Sequence, residues 1–153
     1  MKNSDIQKSN IINRKSIIGI IGLGYVGLPL AIRFSQEKYK VIGFDIDEKK
    51  VNQINSGKSY IQHIPSEDIL SVLANGLVAS SDFSKIAEID VIIICVPTPL
   101  SADNEPDLSY INGTLKNIKS YLKENQLLVL ESTTYPGTTQ EEIVPFINQI
   151  KNK

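Results

Sequence analysis

Three glycines and one acid carry the densest chemical signal in this chain. Residues 17–27 read Ile-Ile-Gly-Ile-Ile-Gly-Leu-Gly-Tyr-Val-Gly, and Asp45 follows 18 residues after Gly27. A β-branched run ending in Gly22-x-Gly24-x-x-Gly27 is the spacing of a strand that turns sharply into a helix. Gly22 permits the tight turn, Gly24 lets backbone approach a pyrophosphate, and Gly27 lets the helix pack closely on its sheet. The bare amides at that helix start, with the positive end of the helix dipole, can receive phosphates. A carboxylate at the end of the second strand, Asp45, can bind both hydroxyls of an adenosine ribose and repels a 2′-phosphate. This argues for NAD over NADP. The bland alternative for Asp45 is capping of the next helix. Lys50 can reach the same ribose or lie on a solvated helix face.

Two further segments place reactive groups where strands end. Val96-Pro97-Thr98-Pro99 leaves a strongly apolar run, its prolines fixing a loop and Thr98 offering a hydroxyl. Glu131-Ser132-Thr133-Thr134-Tyr135-Pro136-Gly137 leaves the next apolar run with three consecutive hydroxyl residues. In open α/β sheets the carboxyl edge of the strands is where ligands sit. Such hydroxyls can position a nicotinamide, a substrate or a water, or serve as plain turn and cap chemistry. Cys95 invites a nucleophile reading, but its place in an apolar strand favours an inert packing residue. His63 can act as a base, yet no acid or nucleophile stands beside it in the sequence, and a loop role is its simpler reading.

The elements that must position these groups alternate regularly. Strands are expected at residues 16–22, 40–45, 77–80, 90–97 and 127–132, and helices at 25–37, 47–56, 66–75, 107–123 and 138–150. Val91–Val96 shows no polar alternation and reads as a central parallel strand covered on both faces. Leu108, Ile111, Leu115, Ile118 and Leu122 form a helical stripe that faces a sheet. Ser66 is a plausible cap after Pro65, Thr138-x-x-Glu141 has the form of a capping box, and Pro145 disturbs a straight helix there. The pattern predicts a Rossmann-type, doubly wound parallel sheet in spatial order 3-2-1-4-5, truncated before a sixth strand. Residues 1–15 are polar and patternless and read as a flexible arm, leaving 16–153 as one domain without a substrate domain.

Composition narrows the field of partners. The 153 residues carry 16 basic and 17 acidic side chains, which gives no basic field for nucleic acid. One cysteine excludes an internal disulfide and fits a reducing cytoplasm, and one histidine leaves no His-rich metal site. Ser16–Ile32 lacks charge, but four glycines and Pro29 in it oppose a membrane span. No cleavage pattern of a signal peptide follows it.

The segments Gly22-Leu-Gly-Tyr-Val-Gly-Leu-Pro-Leu30, Gly43-Phe-Asp-Ile-Asp47, Cys95-Val-Pro-Thr-Pro-Leu100, Glu105-Pro-Asp-Leu108 and Glu131-Ser-Thr-Thr-Tyr-Pro-Gly-Thr-Thr139 resemble the amino-terminal domain of the UDP-glucose/GDP-mannose dehydrogenase family. The resemblance runs from about Ser16 to Ile150. With Tyr60-Ile-Gln-His-Ile-Pro65 it is nearest to the UDP-N-acetylglucosamine 6-dehydrogenases of surface-polysaccharide synthesis. It implies NAD as cofactor, held by Gly22, Gly24, Tyr25, Val26, Gly27, Asp45, Lys50, Pro97, Thr98 and Thr133. Thr134 and Glu131 are the expected catalytic positions, Thr134 beside the nicotinamide where it helps place a water. UDP-glucose dehydrogenases have one residue fewer before the proline, which makes Thr133 a competing assignment.

The family reaction oxidises C6 of the sugar twice, through an aldehyde and a cysteine-bound thioester. The resemblance implies that the nucleophilic cysteine lies beyond residue 153. It also implies a homo-oligomeric parent protein, and that this fragment alone is inactive. UDP-glucose and UDP-N-acetylmannosamine are alternative substrates. A non-catalytic NAD-sensing module is the alternative from a different class.

Overall fold

In the computed structural model, which describes residues 3–101 and 104–151, five short parallel strands form one sheet. The strands are β1 (Ile17–Ile21), β2 (Lys40–Phe44), β3 (Val78–Ser80), β4 (Val91–Ile94) and β5 (Leu127–Leu130). Their order is β3-β2-β1-β4-β5, with every neighbouring pair parallel, as the alternation of apolar runs and helical patterns predicts. The registers Ile21↔Phe44 and Ile21↔Ile94 align the carboxyl ends of the three central strands. The glycine turn, Asp45 and Cys95 therefore emerge side by side.

The helices are α1 (Asn3–Ile12), α2 (Gly27–Gln36), α3 (Glu48–Asn55), α4 (Ser66–Ala74), α5 (Ser109–Ile118) and α6 (Val144–Lys151). They cover both faces of the sheet because the central strands are apolar on both. Ile18, Ile20, Val41, Val91 and Ile93 pack with Leu28 and Ala31 of α2 and with Ile69 and Val72 of α4. Ile42, Phe44, Ile92 and Ile94 face the other way, onto Ile111, Leu115 and Ile118 of α5. Residues alternating along β4 thus feed two separate cores, which is why that strand reads as an unbroken apolar run. The buried stripe of α5 is the one its sequence spacing predicts.

Several local expectations are corrected. Residues 3–12, expected as part of a patternless arm, form helix α1. It buries no residue fully and is tied by the Tyr39 hydroxyl donating to the Ile11 carbonyl at 2.8 Å and by Gln7 Nε2 donating to the Asn125 carbonyl at 2.9 Å. Ser66 does not cap α4: Pro65 holds that position, and the Ser66 hydroxyl accepts the Ser59 amide instead. Thr138 makes no capping box, since its hydroxyl donates to the Tyr135 carbonyl at 2.7 Å. The coil over 138–150 begins as a π turn, Thr139–Ile143, before α6. Pro145 explains this, because its ring would collide with the carbonyl four residues back in a regular α-helix, and a widened turn relieves the clash. A 3₁₀ helix over Phe83–Glu88 was not foreseen. Asp82 starts it by accepting the Ser84 amide at 3.0 Å.

Candidate functional site

The carboxyl edge of the sheet opens into a cleft of about 960 Å³. Its floor is the glycine turn between β1 and α2. Gly22 sits there at φ +93°, and a Cβ on it would lie 2.7 Å from the Cys95 carbonyl oxygen, so the turn closes only for glycine. A Cβ on Gly27 would fall 1.8 Å from the Gly22 carbonyl oxygen, which is the close packing of helix on turn that the spacing implies. Gly24 differs from both. Nothing lies within 4 Å of where its Cβ would be, and that open space belongs to the cleft.

The amides of Gly24, Tyr25 and Val26 donate to no group among the described residues. They precede α2, a ten-residue helix whose opening turn is tied by the Leu28 amide to the Gly24 carbonyl. Unpaired amides, a helix dipole and open space over Gly24 together make a seat for an anionic group.

Asp45 directly follows β2 and is 8% exposed. It does not cap α3, a role that belongs to Asp47, which accepts the Lys49 amide at 2.9 Å. Asp45 instead accepts the Leu23 amide on Oδ2 and the Asp47 amide on Oδ1, each at 2.9 Å. Lys50 Nζ stands 3.7 Å from Oδ2 and 5.9 Å from the centre of the Tyr60 ring. Asp45, Ile46, Lys50 and Tyr60 all line the cleft. The sequence reading missed Tyr60 as a site residue, although it stands in the Tyr60–Pro65 run that supported the family resemblance.

The opposite wall comes from the loops after β4 and β5, which are laced together. Ser132 Oγ donates to the Val96 carbonyl at 2.8 Å, and Thr98 Oγ1 donates to the Thr133 carbonyl. Pro97, Thr98, Glu131, Ser132 and Thr133 line the cleft. Thr134 does not. It lines a separate cavity of about 350 Å³ with Tyr135, Gly137 and Thr138. Of the two competing threonines, the one facing the large cleft is Thr133.

Strand β4 ends at Ile94, so Cys95 stands just past the strand rather than inside it, though its amide still donates to the Ile21 carbonyl at 2.8 Å. It is buried at the cleft wall, and burial, with the Glu131 charge second, pushes its thiol up to about 11. Such a thiol stays protonated near neutral pH. His63 is exposed and stacks on the exposed Tyr25 with ring centroids 6.1 Å apart. No group of three or more metal-ligating side chains occurs among the described residues, and no helix among them is long and apolar enough to cross a membrane.

The cleft's amide seat, its carboxylate beside Lys50 and its hydroxyl-lined far wall are the donor set that a dinucleotide requires. The sequence model of the UDP-glucose/GDP-mannose dehydrogenase family, NAD binding domain, matches residues 16–153. This chain belongs to that family. Its cofactor is NAD, and its five-stranded parallel sheet is the family's dinucleotide-binding fold. The chain is 41% identical over 143 residues to a UDP-N-acetyl-D-mannosamine dehydrogenase of Methanococcus aeolicus, covering 90% of this chain and 31% of that protein. It is 38% identical over 130 residues to a UDP-N-acetyl-D-glucosamine 6-dehydrogenase of Salmonella typhi, covering 85% and 30%. A solved UDP-D-ManNAc dehydrogenase from Pyrococcus horikoshii superimposes with a TM-score of 0.82 at 36% identity, covering 88% of this chain and 32% of that one. The chain thus spans about a third of the length of the relatives it matches.

Proposed function

We propose that this chain is the cofactor-binding part of a cytoplasmic UDP-N-acetylhexosamine 6-dehydrogenase that serves surface-polysaccharide synthesis. Our preferred substrate is UDP-N-acetylglucosamine. The observation that carries the reading is the cleft itself, with unpaired amides at Gly24–Val26, the buried Asp45 carboxylate, and the Glu131–Thr133 wall at its other end. In this reading Gly22, Gly24, Tyr25, Val26 and Gly27 hold the pyrophosphate. Asp45 and Lys50 hold the adenosine ribose, and Pro97 and Thr98 border the cofactor. When bound, NAD supplies a hydride acceptor.

Glu131 and Thr133 act at the nicotinamide end, where a carboxylate and a hydroxyl can orient a water or a substrate hydroxyl. Thr133 takes this role ahead of Thr134 because it is the threonine on the cleft wall. The sugar site, the thiolate and the oligomer contacts are assigned to the part of the enzyme that the relatives have in addition to this length. The 41% identity to a UDP-N-acetyl-D-mannosamine dehydrogenase favours the epimeric sugar as the second reading.

Two measurements test this function. Calorimetric titration of the chain should give tighter binding of NAD than of NADP, and equal affinity would sink the ribose assignment. NADH formation by the enzyme that contains this chain should be fastest with UDP-N-acetylglucosamine among that sugar, UDP-N-acetylmannosamine and UDP-glucose. Faster turnover of UDP-glucose would refute the N-acetylhexosamine reading.

A further inference from the structure

Leu23 lies inside the glycine turn, and both of its backbone polar groups are held from outside that turn. Its amide donates to Asp45 Oδ2 at 2.9 Å, and its carbonyl accepts the hydroxyl of Tyr60, 37 residues away. Its side chain is 1% exposed and packs where a Cβ on Gly43 would sit. Tyr60 comes from the segment joining α3 to α4, lines the cleft, and carries Lys50 Nζ over its ring at 5.9 Å from the centroid. That ammonium is the one 3.7 Å from Asp45.

The Leu23 carbonyl and the Gly24 amide belong to one planar trans peptide, so the two groups point in opposite directions. Holding the oxygen at Tyr60 therefore fixes the Gly24 N–H on the other side of that plane. Without such a tether this peptide is a soft joint, because Gly24 has no Cβ to restrict its rotation. We propose that Tyr60 is a positioning residue for cofactor binding. Its hydroxyl orients the Leu23–Gly24 peptide so that the amides of the turn meet a pyrophosphate, and its ring keeps Lys50 beside Asp45. Burial, with Asp45 and Asp47 nearby, holds the phenol well above its ordinary value, so it remains a proton donor to Leu23 at any working pH.

This inference rests on the pyrophosphate seat proposed above, and the experiment separates the two. Adenosine, ADP and NAD are titrated calorimetrically into the chain, its Tyr60→Phe variant and its Tyr60→Leu variant, with thermal melts alongside. Tyr60→Phe keeps the ring and should weaken ADP and NAD by about three- to tenfold, the worth of one hydrogen bond, while leaving adenosine binding unchanged and lowering the melting midpoint by only a few degrees. Tyr60→Leu should weaken adenosine as well, because Lys50 loses its support.

In the cofactor-free Tyr60→Phe chain, the NMR order parameter of the Gly24 N–H should be lower than in the parent. Several results would overturn the inference: unaltered ADP and NAD affinity, an equal loss for adenosine, an unaltered Gly24 order parameter, or collapse of the Tyr60→Phe fold. Failure of the underlying seat looks different, since the parent chain would then bind neither ADP nor NAD.

Discussion

Asp45 Oδ2 accepts the Leu23 amide at 2.9 Å, so the carboxylate just after β2 also ties down the glycine turn just after β1. In the function proposed above, one buried side chain thereby serves the shape of the phosphate seat and the charge of the ribose end. Asp45→Ala removes the acceptor for two amides, Leu23 and Asp47, and leaves Lys50 without its partner. The expected outcome is a loss of about 1–3 kcal/mol in stability, the cost of stranding buried donors. NAD affinity should fall by a further 1.5–3 kcal/mol, roughly, for the lost charge-assisted bonds. The preference over NADP should shrink at the same time. Chemical denaturation and calorimetry on the same variant separate the two effects, and an unchanged NAD affinity would remove Asp45 from the site.

The glycines of the turn should separate folding from binding. Gly24→Ala places a methyl in open cleft space, with nothing within 4 Å. The melting midpoint should stay within about a degree or two, as for a surface change, while NAD binding is lost because the methyl occupies the pyrophosphate seat. Gly27→Ala instead drives a methyl to 1.8 Å from the Gly22 carbonyl oxygen, where backbone must move. That variant should lose about 1–3 kcal/mol of stability by overpacking. Thermal melts and NAD titrations of the pair provide the check, and equal melting losses for both would contradict the geometry.

What was legible in the sequence is what local period and spacing encode. The β-branched runs, the order of alternation and the glycine spacing place all five strands in the observed order, and the stripe of α5 faces the sheet as its spacing requires. The unread features depend on contacts far apart in the chain or on a single residue of offset. Tyr60 is a loop residue whose partner lies 37 positions away, and no period marks such a pair. Thr133 and Thr134, left as competing assignments by the sequence, lie in the loop after β5, where no period sets side-chain direction, so an offset of one residue decides which cavity each lines. Helix α1 has no apolar stripe to announce it and is held chiefly by side-chain to backbone bonds.

The free edge of β5 should govern association of this chain. Leu127 and Glu131 donate their amides toward β4, so by alternation the Leu128 and Leu130 amides point away from it. No strand among the described residues pairs on that side. An apolar unpaired edge is a template for another chain. Sedimentation velocity should show concentration-dependent self-association, and Leu127→Lys, at a position 41% exposed, should reduce it. A concentration-independent monomer would remove the edge from consideration.

The last prediction concerns the thiol. Cys95 is buried at the cleft wall beside the glycine turn, and burial pushes its thiol up to about 11 from an ordinary 9.0. At pH 8 only about one thiol in a thousand is then ionised, too few for the nucleophile that a thioester step requires. Alkylation by iodoacetamide should be slow in the folded chain and fast after denaturation. Because the folded value is raised, the neutral thiol favours the folded state. That contribution is full below pH 9 and is lost as pH rises from 9 toward 11, where the unfolded chain sheds its proton first. Cys95→Ser should flatten this part of the stability profile without changing NAD affinity. The chain by itself should also form no NADH from UDP-N-acetylglucosamine, because a buried, protonated thiol is a poor nucleophile for a C6 aldehyde and orientation of the sugar is worth roughly 7–11 kcal/mol of barrier. Steady NADH production by the chain, abolished in Cys95→Ser, would show instead that this cysteine is the nucleophile.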